Sequence, residues 1–189
     1  MRKNFGPKPY MYPLPVLIIG SYDGEGNANA MTAAWGGLAD SNKVVICVDA
    51  SHKTIKNITE TGAFTVSFAN KDNVKQADYV GIISGNEESD KVATVGWHTT
   101  HSEFVNAPLF DELPVAMECE LISYDYEFEL MFGEIMNVCV DECVLDSDGK
   151  LDVGMFAPIV YDSMNHGYYT LGEKVGRAFK DGLDLKKEE

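Results

Sequence analysis

The stretch VLIIGSYDGEGNANAMTAA, residues 16–34, decides the fold of this chain. It begins with the apolar run VLIIGS and ends with the run ANAMTAA, and both runs suit β-strands. Between them lies DGEGN, residues 23–27, which combines the residue types that reverse a chain most readily. The stretch therefore predicts a β-hairpin, and it indicates a protein built mainly from strands.

The sequence on either side continues this pattern. One run is wholly apolar and three others alternate between apolar and polar residues, and both patterns are typical of strands. These predicted strands are residues 44–48 (VVICV), 64–68 (FTVSF), 115–124 (VAMECELISY) and 131–140 (MFGEIMNVCV). We therefore expect a mainly β fold.

A few helices are predicted among these strands. Residues 51–61 have isoleucines three apart, with Ser51 as the expected N-cap and Gly62 as the stop. Residues 71–83 show a second helical pattern. Near the C-terminus, apolar residues recur every four positions and predict a C-terminal helix; they are Leu171, Val175 and Phe179.

The composition limits the size of the fold and the range of its partners. With 189 residues, 45% of them hydrophobic, the chain can bury one substantial core, so we expect a single domain over residues 1–189. Its 15 Lys and Arg face 30 Asp and Glu, which gives a net charge of −15. Such a surface repels phosphate backbones and anionic lipids, so nucleic acid and membranes are not expected as partners.

Four cysteines indicate the redox compartment. They are too few and too irregularly spaced for the disulfide framework of a secreted domain. The apolar stretch near residue 16 is also far shorter than a signal peptide or a membrane span. We therefore expect reduced thiols and a cytoplasmic location.

Two segments could bind an anionic, flat ligand. In NAMTAAWGG, residues 29–37, small residues and glycines let such a ligand approach backbone N–H groups closely. In SHKT, residues 51–54, two hydroxyls and a lysine stand in the first turn of a predicted helix, where phosphate is favoured. Spacing alone leaves a second interpretation open, in which the hydroxyls only cap the helix and Lys53 is a solvated surface charge.

Five segments, in order along the chain, resemble the FMN-binding split-barrel, flavin-reductase-like family, and in particular its flavoredoxin subgroup. They are NAMTAAWGG after the turn YDGEG, SHKTIKNITETGAFTV, DYVGIISG with DK downstream, NAPLF before the strand MEC, and the final YYTLGEKVGRAF. The resemblance covers residues 14 to 182. It implies a Greek-key split β-barrel with a few short helices and a C-terminal helix, which forms a homodimer and binds FMN near the dimer interface.

The resemblance also implies which residues hold the cofactor. The isoalloxazine ring of FMN is expected against Asn29, Ala30, Met31, Thr32, Ala33 and Trp35. The ribityl phosphate is expected at Ser51, His52, Lys53 and Thr54. A later segment completes the pocket with Tyr79, Ser84, Gly85 and Lys91.

Three hypotheses for the function follow. The first is an FMN-dependent oxidoreductase that takes reducing equivalents from NAD(P)H or from a redox protein, although no glycine-rich dinucleotide fingerprint is present. The second is a flavoredoxin-like electron carrier with little NAD(P)H activity. The third is a β-barrel that binds a ligand or partner without flavin, and the retained SHKT and NAMT segments argue against it.

We expect neither dedicated catalytic residues nor a metal site. The sequence shows no Ser/His/Asp or Cys/His arrangement with readable spacing, and bound flavin would supply the chemistry itself. His98 and His101 stand three apart, but no third metal ligand is evident near them.

Overall fold

The protein, in a computed structural model that describes residues 1–186, is built around a seven-stranded antiparallel sheet. The strands are β1 (Leu14–Pro15), β2 (Leu17–Tyr22), β3 (Ala28–Ala33), β4 (Gly36–Asp40), β5 (Lys43–Cys47), β6 (Ala63–Phe68), β7 (Thr99–His101), β8 (Pro108–Phe110), β9 (Val115–Asp125), β10 (Leu130–Val140), β11 (Ile159–Asp162) and β12 (Gly167–Thr170). The α-helices are α1 (Lys53–Thr61), α2 (Val74–Ile82), α3 (Lys91–Thr94) and α4 (Val153–Phe156). Short 3₁₀ helices lie at Lys71–Asn73, Glu142–Val144 and Asp181–Leu185. The predicted mainly β fold with a few short helices is therefore confirmed.

The large sheet has the strand order β3-β2-β6-β9-β10-β5-β4, and a smaller sheet has the order β1-β11-β12. The predicted hairpin is confirmed, because β2 and β3 pair antiparallel along their full length. Its turn is held by the Asp23 carboxylate, which accepts hydrogen bonds from the N–H groups of Glu25 and Asn27. Strand β3 is thus the last strand at one edge of the large sheet.

Strand β2 is buried on both faces, which explains its unbroken apolar sequence. Leu17 and Ile19 belong to one core, which includes the apolar side of α1. Ile18 belongs to a second core on the opposite face, together with side chains of α2. A strand covered on both sides reads as a continuous apolar run rather than an alternating one.

The other four predicted strands appear as β5, β6, β9 and β10, each within one residue of the expected bounds at either end. The predicted helix over residues 71–83 appears as a 3₁₀ turn that leads directly into α2. Helix α1 ends where expected, since Gly62 adopts the left-handed conformation at its C-cap.

The predicted N-cap of α1 is wrong. The N-cap is His52, and no side chain caps the helix there. The Asp49 carboxylate instead accepts a hydrogen bond of 2.7 Å from the Ser51 N–H, which forms a tight turn before the helix begins. The Ser51 hydroxyl is therefore not used to cap α1.

The predicted C-terminal helix is also wrong. Within the described chain, residues 171–180 contain no helix, and only a short 3₁₀ helix follows. Val175 and Phe179 of the expected stripe are 95% and 99% exposed. Two glycines, Gly172 and Gly176, weaken helix formation in this segment, and the described residues bury no apolar face that would stabilise a helix.

A buried carboxylate joins the central strands to the loop before β8. Glu118 of β9 is almost fully buried and accepts a 2.6 Å hydrogen bond from the Asn137 amide of β10. It also accepts a short hydrogen bond from the Ser102 hydroxyl. The Ser102 oxygen in turn accepts hydrogen bonds from two backbone N–H groups. A buried charge is tolerated here because each oxygen has a donor.

The four cysteines are free thiols, and the structure makes three of them poorly acidic. Burial, aided by the Glu118 charge, raises the pKa of Cys119 to about 12. Burial is also the main cause that raises the pKa of Cys139, again with help from Glu118. The pKa of the exposed Cys143 is raised by its hydrogen bond to Asp141.

Gly133 of β10 lies where the core is packed too tightly for a side chain. It lies at a register shift between β9 and β10, and a Cβ there would stand 2.8 Å from Cε1 of Phe64 and closer still to Cζ. Because Phe64 is fully buried and cannot move aside cheaply, Gly133→Ala should lower the free energy of unfolding by about 1–3 kcal/mol in urea titrations. Gly37→Ala, where a Cβ meets nothing within 4 Å, is the control and should change stability little. Equal effects of the two variants would contradict this account of the packing.

Candidate cofactor site

The free edge of strand β3 forms one wall of the site. Because β3 pairs only with β2 in the large sheet, its outer edge leaves backbone N–H and C=O groups without sheet partners. Helix α2 packs closely beside it, and the Thr32 hydroxyl donates a hydrogen bond to the carbonyl oxygen of Ala77. Gly81 is required at this contact, because a Cβ there would lie 2.9 Å from the Cβ of Thr32.

The N-terminus of α1 forms the second wall. The N–H groups of Lys53 and Thr54 have no hydrogen-bond acceptor among the described residues, so they remain available to an anion. Thr54 is buried and accepts a 2.9 Å hydrogen bond from the Asn29 amide of β3. One turn later, the Asn57 amide donates to the Ser21 hydroxyl over 3.2 Å. These two bonds fix the start of the helix against the hairpin.

The loop after α2 closes the site. The buried Lys91 ammonium donates hydrogen bonds of 3.1 and 3.0 Å to the carbonyl oxygens of Val80 and Ile83. Burial lowers the pKa of Lys91 to about 8. The Asn86 amide donates to the carbonyl oxygen of Ser51 over 3.0 Å, so the loop is tied to the turn before α1.

A cleft of about 170 Å³ lies between these elements. Eight of the residues expected to hold the cofactor line it. They are Met31, Ser51, His52, Lys53, Thr54, Ser84, Gly85 and Lys91. The structure thus brings together the two separate segments that suggested an anion site and the later segment implied by the resemblance.

Lys53 has a partner of its own in this structure. Its ammonium lies 3.4 Å from the Asp23 carboxylate in the hairpin turn, and both side chains are about three-quarters or more buried. The interpretation of Lys53 as a freely solvated surface charge is therefore wrong. The lysine is held at the mouth of the cleft, where it joins the β2–β3 turn to α1.

Four other predicted residues lie beside the cleft rather than in its lining. Asn29 is buried behind Thr54 and supports it. The side chains of Ala30 and Ala33 enter the two cores, so only their backbone faces the edge of β3. Tyr79 points elsewhere, because its hydroxyl donates a 2.9 Å hydrogen bond to Glu88.

Trp35 lines a different cavity. Its half-exposed indole borders an apolar space of about 660 Å³ between the N-terminal segment and strands β4 and β5. Other residues of this cavity include Tyr10, Met11, Cys47 and Leu130.

Thr32 lines a further pocket of about 380 Å³ that shares Gly81 and Ile82 with the cleft. Sequence reasoning missed its other polar residues, which are Asp78, Tyr161, His166 and Tyr168. Asp78 and Tyr168 fall within the quoted segments DYVGIISG and YYTLG, but Tyr161 and His166 carry no local signal, because the fold brings β11 and β12 beside α2 from a distant part of the chain.

The donors around the cleft suit a phosphate joined to a flat ring. Free N–H groups at a helix N-terminus, the Ser51 hydroxyl and the Lys53 ammonium are groups that bind a phosphate. The unpaired edge of β3 offers alternating donors and acceptors to the rim of a planar ring. The residues present therefore fit FMN.

Metal ligands and membrane-spanning helices would point to other kinds of site. No group of three or more His, Cys, Asp or Glu side chains among residues 1–186 is placed to hold a metal ion. No helix within the same residues has the length and apolar character needed to cross a membrane.

Comparisons with known proteins give the family and the fold of this chain. Flavoredoxin of Desulfovibrio vulgaris (Miyazaki F) is 38% identical, with 96% of this chain and 100% of that chain covered and a TM-score of 0.92. Flavoredoxin from Methanosarcina acetivorans is 27% identical, with 98% and 100% covered and a TM-score of 0.88. The 2-nitrobenzoate 2-nitroreductase of Pseudomonas fluorescens shares the fold at 24% identity and a TM-score of 0.78, over 90% of this chain and 87% of that chain. The family model described as flavin reductase like domain matches residues 10–170, and the chain therefore belongs to the flavin reductase-like family, whose split-barrel fold it shares.

Proposed function

We propose that this protein is an FMN-dependent oxidoreductase that takes reducing equivalents from NAD(P)H or from a redox protein. The observation that carries the proposal is the cleft itself, where the open N-terminus of α1 meets the free edge of β3. FMN is the cofactor. Family membership supports it, as does the shared fold with an FMN-binding domain of a flavin reductase-like enzyme from Shewanella baltica.

The residues around the cleft bind FMN at two ends. Ser51, Lys53 and Thr54 hold the phosphate through hydroxyl, ammonium and helix N–H groups, with His52 at the rim. Ser84 and Gly85 close over it, and Lys91 keeps that loop in place from beneath. Met31 and the backbone of β3 face the ring.

Bound FMN supplies the hydride and electron transfer, so the protein has to bind, orient and tune it rather than donate a catalytic side chain. Backbone N–H groups at the unpaired edge of β3 would favour negative charge on a ring bound there, because the sheet already holds them in place. Loop residues 83–86 shield the phosphate end from water.

A second candidate function is electron carriage without efficient use of NAD(P)H. The 38% identity to a flavoredoxin favours it, and the net charge of −15 suits a redox partner with a basic surface. The cleft does not favour a flavin-free binding module, because its helix N–H groups and its lysine suit an anion such as the phosphate of FMN.

The protein acts as a homodimer in the cytoplasm. Large apolar side chains remain exposed on strands β4, β9 and β10, and a second copy of the chain would cover them; they are Leu38, Ile122, Met136 and Val138. The free thiols support a reducing compartment.

The first test concerns the phosphate. Lys53→Ala should weaken FMN by about 1–3 kcal/mol, because one charge-assisted contact to the phosphate is lost. Fluorescence titration measures it, with Lys56→Ala, an exposed lysine on the same helix, as the control. Riboflavin, which lacks the phosphate, should bind the Lys53 variant and the wild type equally. Equal losses for FMN and riboflavin would show that Lys53 does not hold the phosphate, and no saturable FMN binding to the wild type would refute the proposal.

The second test concerns the donor and the absence of a catalytic side chain. Anaerobic stopped-flow mixing with NADH and NADPH separately should reduce the bound flavin, whereas a pure carrier would respond only to a reduced protein.

Substitution of each histidine by glutamine should lower the rate of flavin reduction less than about tenfold at saturating FMN, since general acid–base catalysis contributes about 10²–10⁴. The residues are His52, His98, His101 and His166. A loss of about 10³ in one variant that retains flavin would assign a catalytic role to that histidine.

The third test concerns the dimer. Light scattering of the FMN-loaded protein should give twice the 20.8 kDa of one chain. Val138→Asp introduces a charge on the exposed apolar part of the sheet and should shift the protein toward monomer, because burying an unpaired carboxylate is costly. Ser147→Asp, in an exposed turn, is the control. A wild type that scatters as a monomer would exclude the dimer.

A further inference from the structure

The apolar cavity beside Trp35, called the Trp35 cavity below, has a volume of about 660 Å³ and opens to solvent. Apolar and aromatic side chains such as Met11, Tyr10 and Val45 form most of its lining. Among the described residues, Lys8 is the one charged residue in that lining. An open apolar surface of this kind marks a place where another apolar group binds.

One end of the Trp35 cavity is acidic. Leu130 and Cys47 line that end and pair directly with each other across β10 and β5. Glu129 comes just before Leu130, and Asp49 lies two residues after Cys47. After burial, the charges of Glu129 and Asp49 raise the pKa of Tyr124, so both carboxylates lie close to one tyrosine. A cationic segment with apolar side chains would fit this end better than an acidic one.

Residues 174–180, called the basic arm below, have the complementary composition. Their sequence KVGRAFK carries three cations and no carboxylate, in a chain whose net charge is −15. Two large apolar side chains of the basic arm, Val175 and Phe179, are almost fully exposed. The basic arm thus combines positive charge with uncovered apolar surface on a strongly acidic protein.

A tight turn presents Phe179 to solvent. The Arg177 carbonyl oxygen accepts hydrogen bonds of 3.3 and 3.1 Å from the N–H groups of Lys180 and Asp181. The Asp181 carboxylate in turn accepts bonds of 2.8 and 2.9 Å from the N–H and Nε of Arg177. Because this turn fixes the backbone at Phe179 before any contact forms, less conformational entropy is lost when the ring is buried. An exposed aromatic side chain held in this way is suited to anchor an interface.

The basic arm does not enter the cavity of its own chain. Within residues 1–186, no residue after Leu130 lines the Trp35 cavity. A second copy of the chain would supply a basic arm to this cavity and a cavity to this arm. One two-fold axis would therefore form the same contact twice.

We infer that the Trp35 cavity binds the basic arm of a second copy, with Phe179 in the apolar space and the cations of the arm beside Asp49 and Glu129. The inference rests on the homodimer of the proposed function and names the segments that join its two chains. FMN has no part in this contact, so the exchange of arms can be tested separately from cofactor binding.

The test joins the two segments covalently. Ala178→Cys keeps Phe179 and places a thiol next to it, while Cys47 already lines the cavity. All variants also carry Cys143→Ser, because Cys143 is exposed. Diamide takes up the two thiol hydrogens as the disulfide forms, and a non-reducing gel should show a dimer of twice 20.8 kDa.

Matched variants show where the disulfide forms. Adding Cys47→Ser to Ala178→Cys should abolish the covalent dimer. Ser147→Cys, in an exposed turn, should cross-link at least about tenfold more slowly, because docking raises the effective concentration of only the first pair of thiols. Glu129→Lys should slow cross-linking of Ala178→Cys at least about threefold through repulsion of the arm. Glu142→Lys changes the net charge equally at another exposed position and should leave the rate unchanged.

The contrary results separate the parts of the inference. Cross-linking no faster than in Ser147→Cys, or cross-linking that persists without Cys47, would overturn the docking of the arm. A disulfide to Cys47 within one chain, seen at monomer mass, would overturn the second copy as the occupant. Equal slowing by Glu129→Lys and Glu142→Lys would overturn the role of the acidic end.

The proposed function can fail independently. A protein that scatters light as a dimer but forms no cross-link would keep the homodimer and refute the exchange of arms, whereas a monomeric wild type would overturn both. Failure to bind FMN would refute the proposed oxidoreductase and leave the cross-linking result as it stands.

Discussion

The buried hydrogen bond from the Asn29 amide to the Thr54 hydroxyl holds the site together. Leaving a buried amide without a partner costs about 1–3 kcal/mol, so the first turn of α1 cannot move away from β3 without a marked loss of stability. The bond from Asn57 to Ser21 repeats this restraint one turn further along. As a result, the donors at the helix N-terminus and the donors at the strand edge keep a fixed separation, which a ligand that touches both must match. Only the loop over residues 83–86 approaches from another part of the chain, and Lys91 and Asn86 fix it in turn.

Most of the fold could be predicted from local sequence, because its main elements are specified by local signals. The turn DGEGN sets the first hairpin, and Gly62 ends α1 through its left-handed backbone. The predicted C-terminal helix failed for a reason that periodicity cannot reveal. A spacing of four between Leu171, Val175 and Phe179 describes a helix only if another surface covers that side, and none of the described residues does.

The site was predicted less completely than the fold. The four residues of SHKT are consecutive in the sequence, so they reach the cleft together at the start of α1. Trp35 and Tyr79 are close in sequence to residues that line the cleft, but their own side chains do not line it. Trp35 borders another cavity and Tyr79 bonds to Glu88, because the direction of a side chain depends on the tertiary packing around it. Tyr161 and His166 reach the site only because β11 and β12 fold back beside α2, which no local pattern records.

The raised pKa values of three thiols lower their reactivity toward oxidants. Thiolate, not thiol, attacks disulfides and peroxides, and a pKa raised to about 12 keeps the Cys119 thiol protonated at pH 7. Cys139 and Cys143 are shifted in the same direction. A protein that exchanges electrons near oxygen meets peroxide as a by-product, and each ionised thiol is a place where that peroxide becomes sulfenic acid. By keeping these sulfurs protonated, the fold would limit their oxidation during the redox reaction that we propose for it.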